Sequence, residues 1–146
     1  MNKPIEGIAV DASTRGNPGP SKYRAVDIKT GKLLFNVDIG IATNNITEFI
    51  ALCHAILYAK QHLLTITIYT DSQTALSWLK YKKANSSLPA SNKTITALDY
   101  LKRVEGKLKP LSIESDGVDL IADLSITISK WYTSEWGEIP ADFNLK

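Results

Sequence analysis

Three acidic residues stand where packing gives little reason for a charge. Asp11 closes the apolar run Ile8-Ala9-Val10, Asp71 closes Ile66-Thr67-Ile68-Tyr69-Thr70, and Glu48 sits beside Phe49 in the first turn of an expected helix. If the strands ending in Asp11 and Asp71 are sheet neighbours, both carboxylates emerge at one end, and a helix crossing that end brings Glu48 to them. Carboxylates crowded together repel, and their desolvation is costly, so one must hold a proton or a cation must sit between them. All-oxygen ligation favours a hard cation such as Mg²⁺ or Mn²⁺ over Zn²⁺. Each acid also has a structural role open to it. Asp11 can cap the turn after its strand, Asp71 can N-cap a helix beginning at Ser72, and Glu48 can complete a capping box with Asn45. The chemical reading rests on all three occurring together.

The elements that must position these groups follow from the pattern of the chain. Ile5–Asp11 reads as a buried strand, followed by a tight reversal over Ser13–Ser21 that is dense in Gly, Pro, Asn and Ser. Lys22–Ile28 and Lys32–Ile39, joined at Lys29–Gly31, complete an antiparallel meander. Apolar residues from Ile46 to Leu57 recur at helical intervals, so a helix capped within Thr43–Asn45 runs to about Gln61. Thr65–Thr70 is β-branched and aromatic, a strand, and a short helix follows over Ser72–Lys80. Tyr81–Asn92 reads as a basic loop, Lys93–Lys107 as a helix capped by Asn92, and Ser125–Thr133 as the last strand. Pro140–Asn144 is expected to form a helical turn, and Pro110–Leu124 gives no clear pattern. This order predicts an α/β fold with a mixed five-stranded sheet, a meander plus parallel strands, and helices on both faces.

Composition narrows the function classes. The chain of 146 residues is 44% hydrophobic and 22% charged, which fits one packed domain over 1–146 and excludes disordered and collagen-like classes. No apolar run approaches a bilayer span, and the N-terminus lacks a secretory pattern, so a cytoplasmic protein without membrane contact is expected. The lone Cys53 makes no internal disulfide. Net charge is only +2, yet Lys80–Lys109 holds eight basic residues against Asp99 and Glu105, so this stretch carries +6 and the remainder −4. Charge alone favours a solvated helix face over a polyanion-binding surface.

The neighbours of the three acids carry a family resemblance. Asp11-Ala-Ser-Thr-Arg-Gly-Asn-Pro-Gly-Pro resembles the first-strand signature of the ribonuclease H family. Thr43-Asn44-Asn45-Ile46-Thr47-Glu48 is similar to its T-N-N-x-x-E helix start, and Tyr69-Thr70-Asp71-Ser72-Gln73 to its Y-T-D-S-Q strand end. Trp136-Gly137-Glu138-Ile139-Pro140-Ala141-Asp142 resembles a variant of its closing motif. The motifs stand in the family's order from Ile5 to Asp142 and suit the short bacterial-like type 1 form.

The resemblance implies a metal-dependent endonuclease that hydrolyses the RNA strand of RNA–DNA hybrids to 5′-phosphate and 3′-hydroxyl ends. Asp11, Glu48, Asp71 and Asp142 match the family's catalytic, metal-binding carboxylates, with two Mg²⁺ (or Mn²⁺) ions roughly 4 Å apart expected with substrate. Asn17, Asn44, Asn45 and Gln73 match positions that contact the hybrid, where the 2′-hydroxyl distinguishes RNA from DNA, and Thr43 and Ser72 are further candidate contacts; Asn44 and Asn45 can equally cap their helix, and Ser72 its own. Lys80, Lys82 and Lys83 lie where many members carry a basic protrusion, which tips the charge argument towards binding. A monomer is expected. Trp78 is expected to pack, and His54 and His62 to be structural.

Two departures stand out. Many members place a histidine shortly before the final Asp, but Trp131–Asp142 contains none; Glu135 or Glu138 are the candidates for part of its role. A truncated terminal helix is expected after Asp142. The alternative function is a catalytically weakened module of the same fold that binds hybrid or RNA.

Overall fold

The computed structural model describes residues 2–116, 118–121 and 125–143. The meander is built from β1 (Ile8–Thr14), β2 (Gly19–Asp27) and β3 (Leu33–Ala42). β2 runs antiparallel to both neighbours, with Arg24 opposite Asp11. Helix α1 (Asn44–Gln61) crosses back to β4 (Ile66–Thr70), which lies parallel to β1. Helices α2 (Gln73–Tyr81) and α3 (Ile95–Leu108) lead to β5 (Ile113–Asp116), β6 (Val118–Ile121), β7 (Ile126–Lys130) and the single turn α4 (Thr133–Trp136).

The five expected strands make the mixed sheet β3-β2-β1-β4-β7, with β7 parallel to β4. β6 and β5 extend it beyond β7 by antiparallel pairing. They fall in the stretch whose pattern was unreadable, and two strands of four residues carry too few alternations to announce themselves.

Strand alternation sorts the core into two layers. Ile8 and Val10 of β1 join Tyr23, Ala25, Ile39, Ile68 and the buried sides of α1, α2 and α3 in the main core. Ala9 and Val26 point the other way, against Trp131, Ile139 and Ala141. Helices therefore stand on both faces, long ones over the main core and the single turn of α4 on the other. On that second face the cover is the segment from Trp131 to Ala141 with α4, and the fully buried Trp131 indole is its largest buried side chain. Its Nε1–H donates to the Gly137 carbonyl at 2.9 Å, pinning the segment.

Several boundaries differ from expectation. β1 begins at Ile8 rather than Ile5 because Gly7 takes φ +125°, where a Cβ would lie 2.7 Å from the Thr67 carbonyl; Ile5 itself is exposed. β1 also runs past Asp11 to Thr14. Helix α3 starts after Thr94, not Asn92, and Thr94 Oγ1 donates to the Pro89 carbonyl, so Ser91 and Thr94 build the turn that Asn92 was expected to cap. Residues 140–143 form turns rather than a helix, and Asn144 lies outside the described residues. Among the described residues no helix is long and apolar enough to cross a membrane.

Candidate active site

β1 and β4 pair only through Ile8–Ile68 and Ala9–Tyr69, and then part. Beyond Ala9 the β4 side of β1 has no strand partner, and a buried backbone N–H left unpaired there would be costly. Glu48 meets that need. Its Oε1 accepts from the Ala12 N–H at 2.9 Å, which draws the first turns of α1 into the notch between the strands. Asp11 stands on one lip of the notch and Asp71, one residue past β4, on the other. One carboxylate oxygen from each of Asp11, Glu48 and Asp71 lies within 4.8 Å of the others.

The structural roles open to these acids are filled by other residues. Thr43 Oγ1 caps α1 by accepting from the Ile46 N–H at 3.3 Å, so Glu48 is not the partner of an Asn45 capping box. Ser72 Oγ caps α2 by accepting from the Ala75 N–H at 3.0 Å, so Asp71 is released from that duty. Asp11 lies inside β1 rather than at its end, and caps no turn. Three neighbouring acids thus remain without a capping role.

Their surroundings make the negative charges expensive. Burial first, then the charge of Asp71, pushes Asp11 from 3.8 up to about 7. Burial and the charges of Asp11 and Asp71 hold Glu48 well above its ordinary range. Asp71 is raised by burial and by Asp142, and Lys130 acts weakly against that rise. Glu48 Oε2 is buried and makes no hydrogen bond, although buried polar atoms are nearly always satisfied. An orphaned oxygen among three crowded carboxylates fits a hard divalent cation, which removes the repulsion and supplies the missing partner.

Asp142 stands beside this trio rather than within it. Its side chain is nearly buried, and its charge raises both Asp11 and Asp71. Glu138, from the turn after α4, hydrogen-bonds Asp142 and is itself raised by that bond. Of the two loop acids, Glu138 is thus the one in contact with Asp142.

The remaining residues divide by what already occupies them. Asn17 Oδ1 accepts from the Asn44 N–H at 2.9 Å, tying the Gly-Asn-Pro-Gly turn to the start of α1, where Asn44 and Asn45 are exposed. Gln73 Oε1 lies 3.5 Å from Lys130 Nζ, at the rim near Asp71. Lys80 and Lys83 are exposed. Lys82 differs from them: its Nζ donates to the Lys109 and Leu111 carbonyls at 3.1 and 3.0 Å, so it holds the end of α3. Trp78 meets the Phe49 ring edge-on, as packing predicts. His54 accepts or donates across 2.7 Å to the Tyr23 hydroxyl and stacks on Phe35, and His62 caps the end of α1, so both are structural. Sequence reasoning missed Arg24 and Lys130. Each lies on a strand whose alternation alone gives no reason to single out a cation.

The sequence profile of the RNase H family matches residues 5–118. A ribonuclease H from Cronobacter sakazakii is 28% identical over 123 residues, covering 81% of this chain and 77% of that protein. A ribonuclease H from Citrobacter koseri is 32% identical over 113 residues, covering 74% and 72% respectively. Among solved structures, RNase H1 from the halophilic archaeon Halobacterium salinarum shares 27% identity over 65% of this chain and 75% of its own, with a TM-score of 0.43.

Proposed function

The chain belongs to the ribonuclease H family, and from that premise we propose that it is a metal-dependent endonuclease cutting the RNA strand of RNA–DNA hybrids, leaving 5′-phosphate and 3′-hydroxyl ends. The observation that carries this reading is the notch between β1 and β4, where Asp11, Glu48 and Asp71 converge and Glu48 Oε2 is left without a partner.

Asp11, Glu48 and Asp71 would hold the cation, with Asp142 as a further ligand at the edge. Held by these carboxylates, two Mg²⁺ or Mn²⁺ ions would supply charge stabilisation for in-line attack of water at phosphorus with the 3′ oxygen leaving. The protein's own part is to fix the oxygens before substrate arrives. The Ala12 N–H holds one oxygen of Glu48 and leaves the other directed inward, so little reorganisation is needed on binding.

Strand choice falls to groups around the rim. Asn17, Thr43, Asn44, Asn45, Ser72 and Gln73 belong to the turns and helix starts that carry or adjoin Glu48 and Asp71, and would offer donors and acceptors to sugar hydroxyls and phosphates. Lys80 and Lys83 supply positive charge for the hybrid backbone. Lys82 contributes chiefly by keeping that segment in place. Reading backbone and shape makes cleavage largely independent of sequence. In this reading the protein acts as a cytoplasmic monomer, one domain over 1–146.

The test incubates the protein with labelled RNA–DNA hybrid, duplex DNA and duplex RNA, each with Mg²⁺, Mn²⁺ or EDTA. Metal-dependent cutting of the hybrid's RNA alone, abolished in Asp71→Asn, is expected. Tight hybrid binding without cutting would establish the weakened binding module instead, and cutting of duplex DNA would overturn the substrate assignment.

A further inference from the structure

Asp142 lies on a segment that no sheet pairing and no long helix hold in place. Between Ile139 and Phe143 the described backbone forms turns, and an internal bond of that stretch runs from the Asp142 N–H to the Ile139 carbonyl at 2.9 Å. A side chain on such a segment would wander by more than a ligand geometry tolerates unless something else fixed it.

Arg24 supplies the fixation. It lies on β2, opposite Asp11 in the antiparallel register, and it shares with Asp11 the sheet face that the C-terminal segment covers. Its Nε–H donates to the Ala141 carbonyl at 2.6 Å, and Nη2 donates to the Asp142 carbonyl. Its guanidinium carbon lies 4.7 Å from the centre of the Phe143 ring, and Lys22 Nζ lies 5.3 Å from the same centre. Three successive residues are thus gripped by one side chain, two by their backbones and one by its ring. A guanidinium suits this because its donors are held in a rigid planar fork, and its face accepts an aromatic ring. Fixing the carbonyl of residue 142 fixes the direction in which its side chain leaves the backbone.

We propose that Arg24 is a positioning residue, a clamp that sets Asp142 against Asp11 so that the fourth carboxylate is in place for the cation. This inference rests on the functional reading above, in which Asp142 is a ligand. It adds that the placement of Asp142 is delegated to a cation on the second strand, on the very face that the Asp142 segment covers.

The test compares wild type with Arg24→Gln, which loses the paired donors and the charge, and Arg24→Lys, which keeps a charge but only a point donor. Two measurements are made on the full chain. Amide hydrogen exchange over 139–143 is followed without metal, and hybrid cleavage is titrated with Mg²⁺. Arg24→Gln should speed exchange at the Asp142 amide by about tenfold or more. It should raise the Mg²⁺ concentration for half-maximal cleavage by a similar factor, with the rate largely regained at saturating Mg²⁺. Arg24→Lys should fall between. Adding Arg24→Gln to Asp142→Asn should cost little more than Asp142→Asn alone, because both changes act through one carboxylate.

A wild-type Mg²⁺ dependence in Arg24→Gln would overturn the proposal, as would faster exchange spread evenly over the whole chain. If wild type does not cleave, or Asp142→Asn leaves the Mg²⁺ dependence untouched while Arg24→Gln still frees 139–143, the ligand role of Asp142 fails. The clamp as a physical tether then stands without its catalytic purpose.

Discussion

The acids of the site are held in two different ways. Asp11, Glu48 and Asp71 sit at the ends or within the span of elements whose positions are dictated by the sheet and the main core, and Glu48 is fastened by a strand's own N–H. Asp142 and Glu138 sit on the covering segment, held by the Trp131 indole, the Arg24 fork and their own mutual hydrogen bond. Moving a member of the inner trio requires moving a strand or the central helix. The outer pair can shift when one tether is lost. On the proposed function, the inner trio would set whether a cation can bind, and the outer pair would adjust how well the bound site works.

The sharpest way to break this contrast is to neutralise an inner acid. Asp11→Asn should lower cleavage by about 10³-fold, in the range found for removing a preorganised catalytic group. In EDTA near pH 8 the same change should raise the melting temperature, because it removes a buried charge from a crowded site. A loss of activity accompanied by a loss of metal-free stability would show that Asp11 serves the fold rather than the cation.

A second expected effect concerns pH. Asp11 is raised to about 7 in the folded protein, while the unfolded chain releases that proton near its ordinary 3.8. Between those values the folded state holds more protons than the unfolded one, so stability from this group is complete below about pH 4. It is lost as pH rises through about 7, by on the order of 4 kcal/mol at most. Glu48 and Asp71 are shifted in the same direction. Chemical denaturation in EDTA should therefore show stability declining from pH 5 to pH 8, and excess Mg²⁺ should flatten or reverse that slope. A metal-free stability that climbs over this interval would contradict the crowding on which the site depends.

The inner trio was also the legible part. Asp11 and Asp71 each follow an apolar β-capable run, and the five-stranded order brings such strand ends together, so convergence could be anticipated from pattern alone. What pattern could not supply was the gap between β1 and β4, since strand divergence depends on packing across the whole sheet. The outer region was obscure for a related reason. Arg24 acts on residues more than a hundred positions away through carbonyls, which every residue type possesses, so its partners leave no mark in the sequence. The strands β5 and β6 and the turn that begins α3 were missed because short elements carry little periodicity.

Neutralising an outer acid should have a smaller and recoverable effect. Asp142→Asn is expected to reduce cleavage by roughly 10–100-fold at limiting Mg²⁺, with part of the loss regained at higher metal concentration, as a weakened ligand shell predicts. Glu138→Gln, which keeps a donor towards Asp142, should cost less. If Asp142→Asn matches Asp11→Asn in size and cannot be relieved by metal, the division into inner and outer acids fails, and all four belong to one indivisible site.

The smallest effect tests whether the same division, between groups already engaged by the fold and groups left to the solvent, extends to the basic segment. Lys83 is exposed, whereas Lys82 spends its ammonium on two carbonyls at the end of α3. Lys83→Ala should weaken hybrid binding a few-fold and reduce the slope of log affinity against log salt by about one, as expected for one lost phosphate contact. Lys82→Ala should leave that slope nearly unchanged and lower the melting temperature instead, because two carbonyls lose their partner. Fluorescence anisotropy of a labelled hybrid in Ca²⁺ or EDTA, run across a salt series, separates the two. An equal change of slope in both variants would mean that Lys82 releases its carbonyls to meet the substrate, and that the segment is rebuilt on binding rather than presented ready-made.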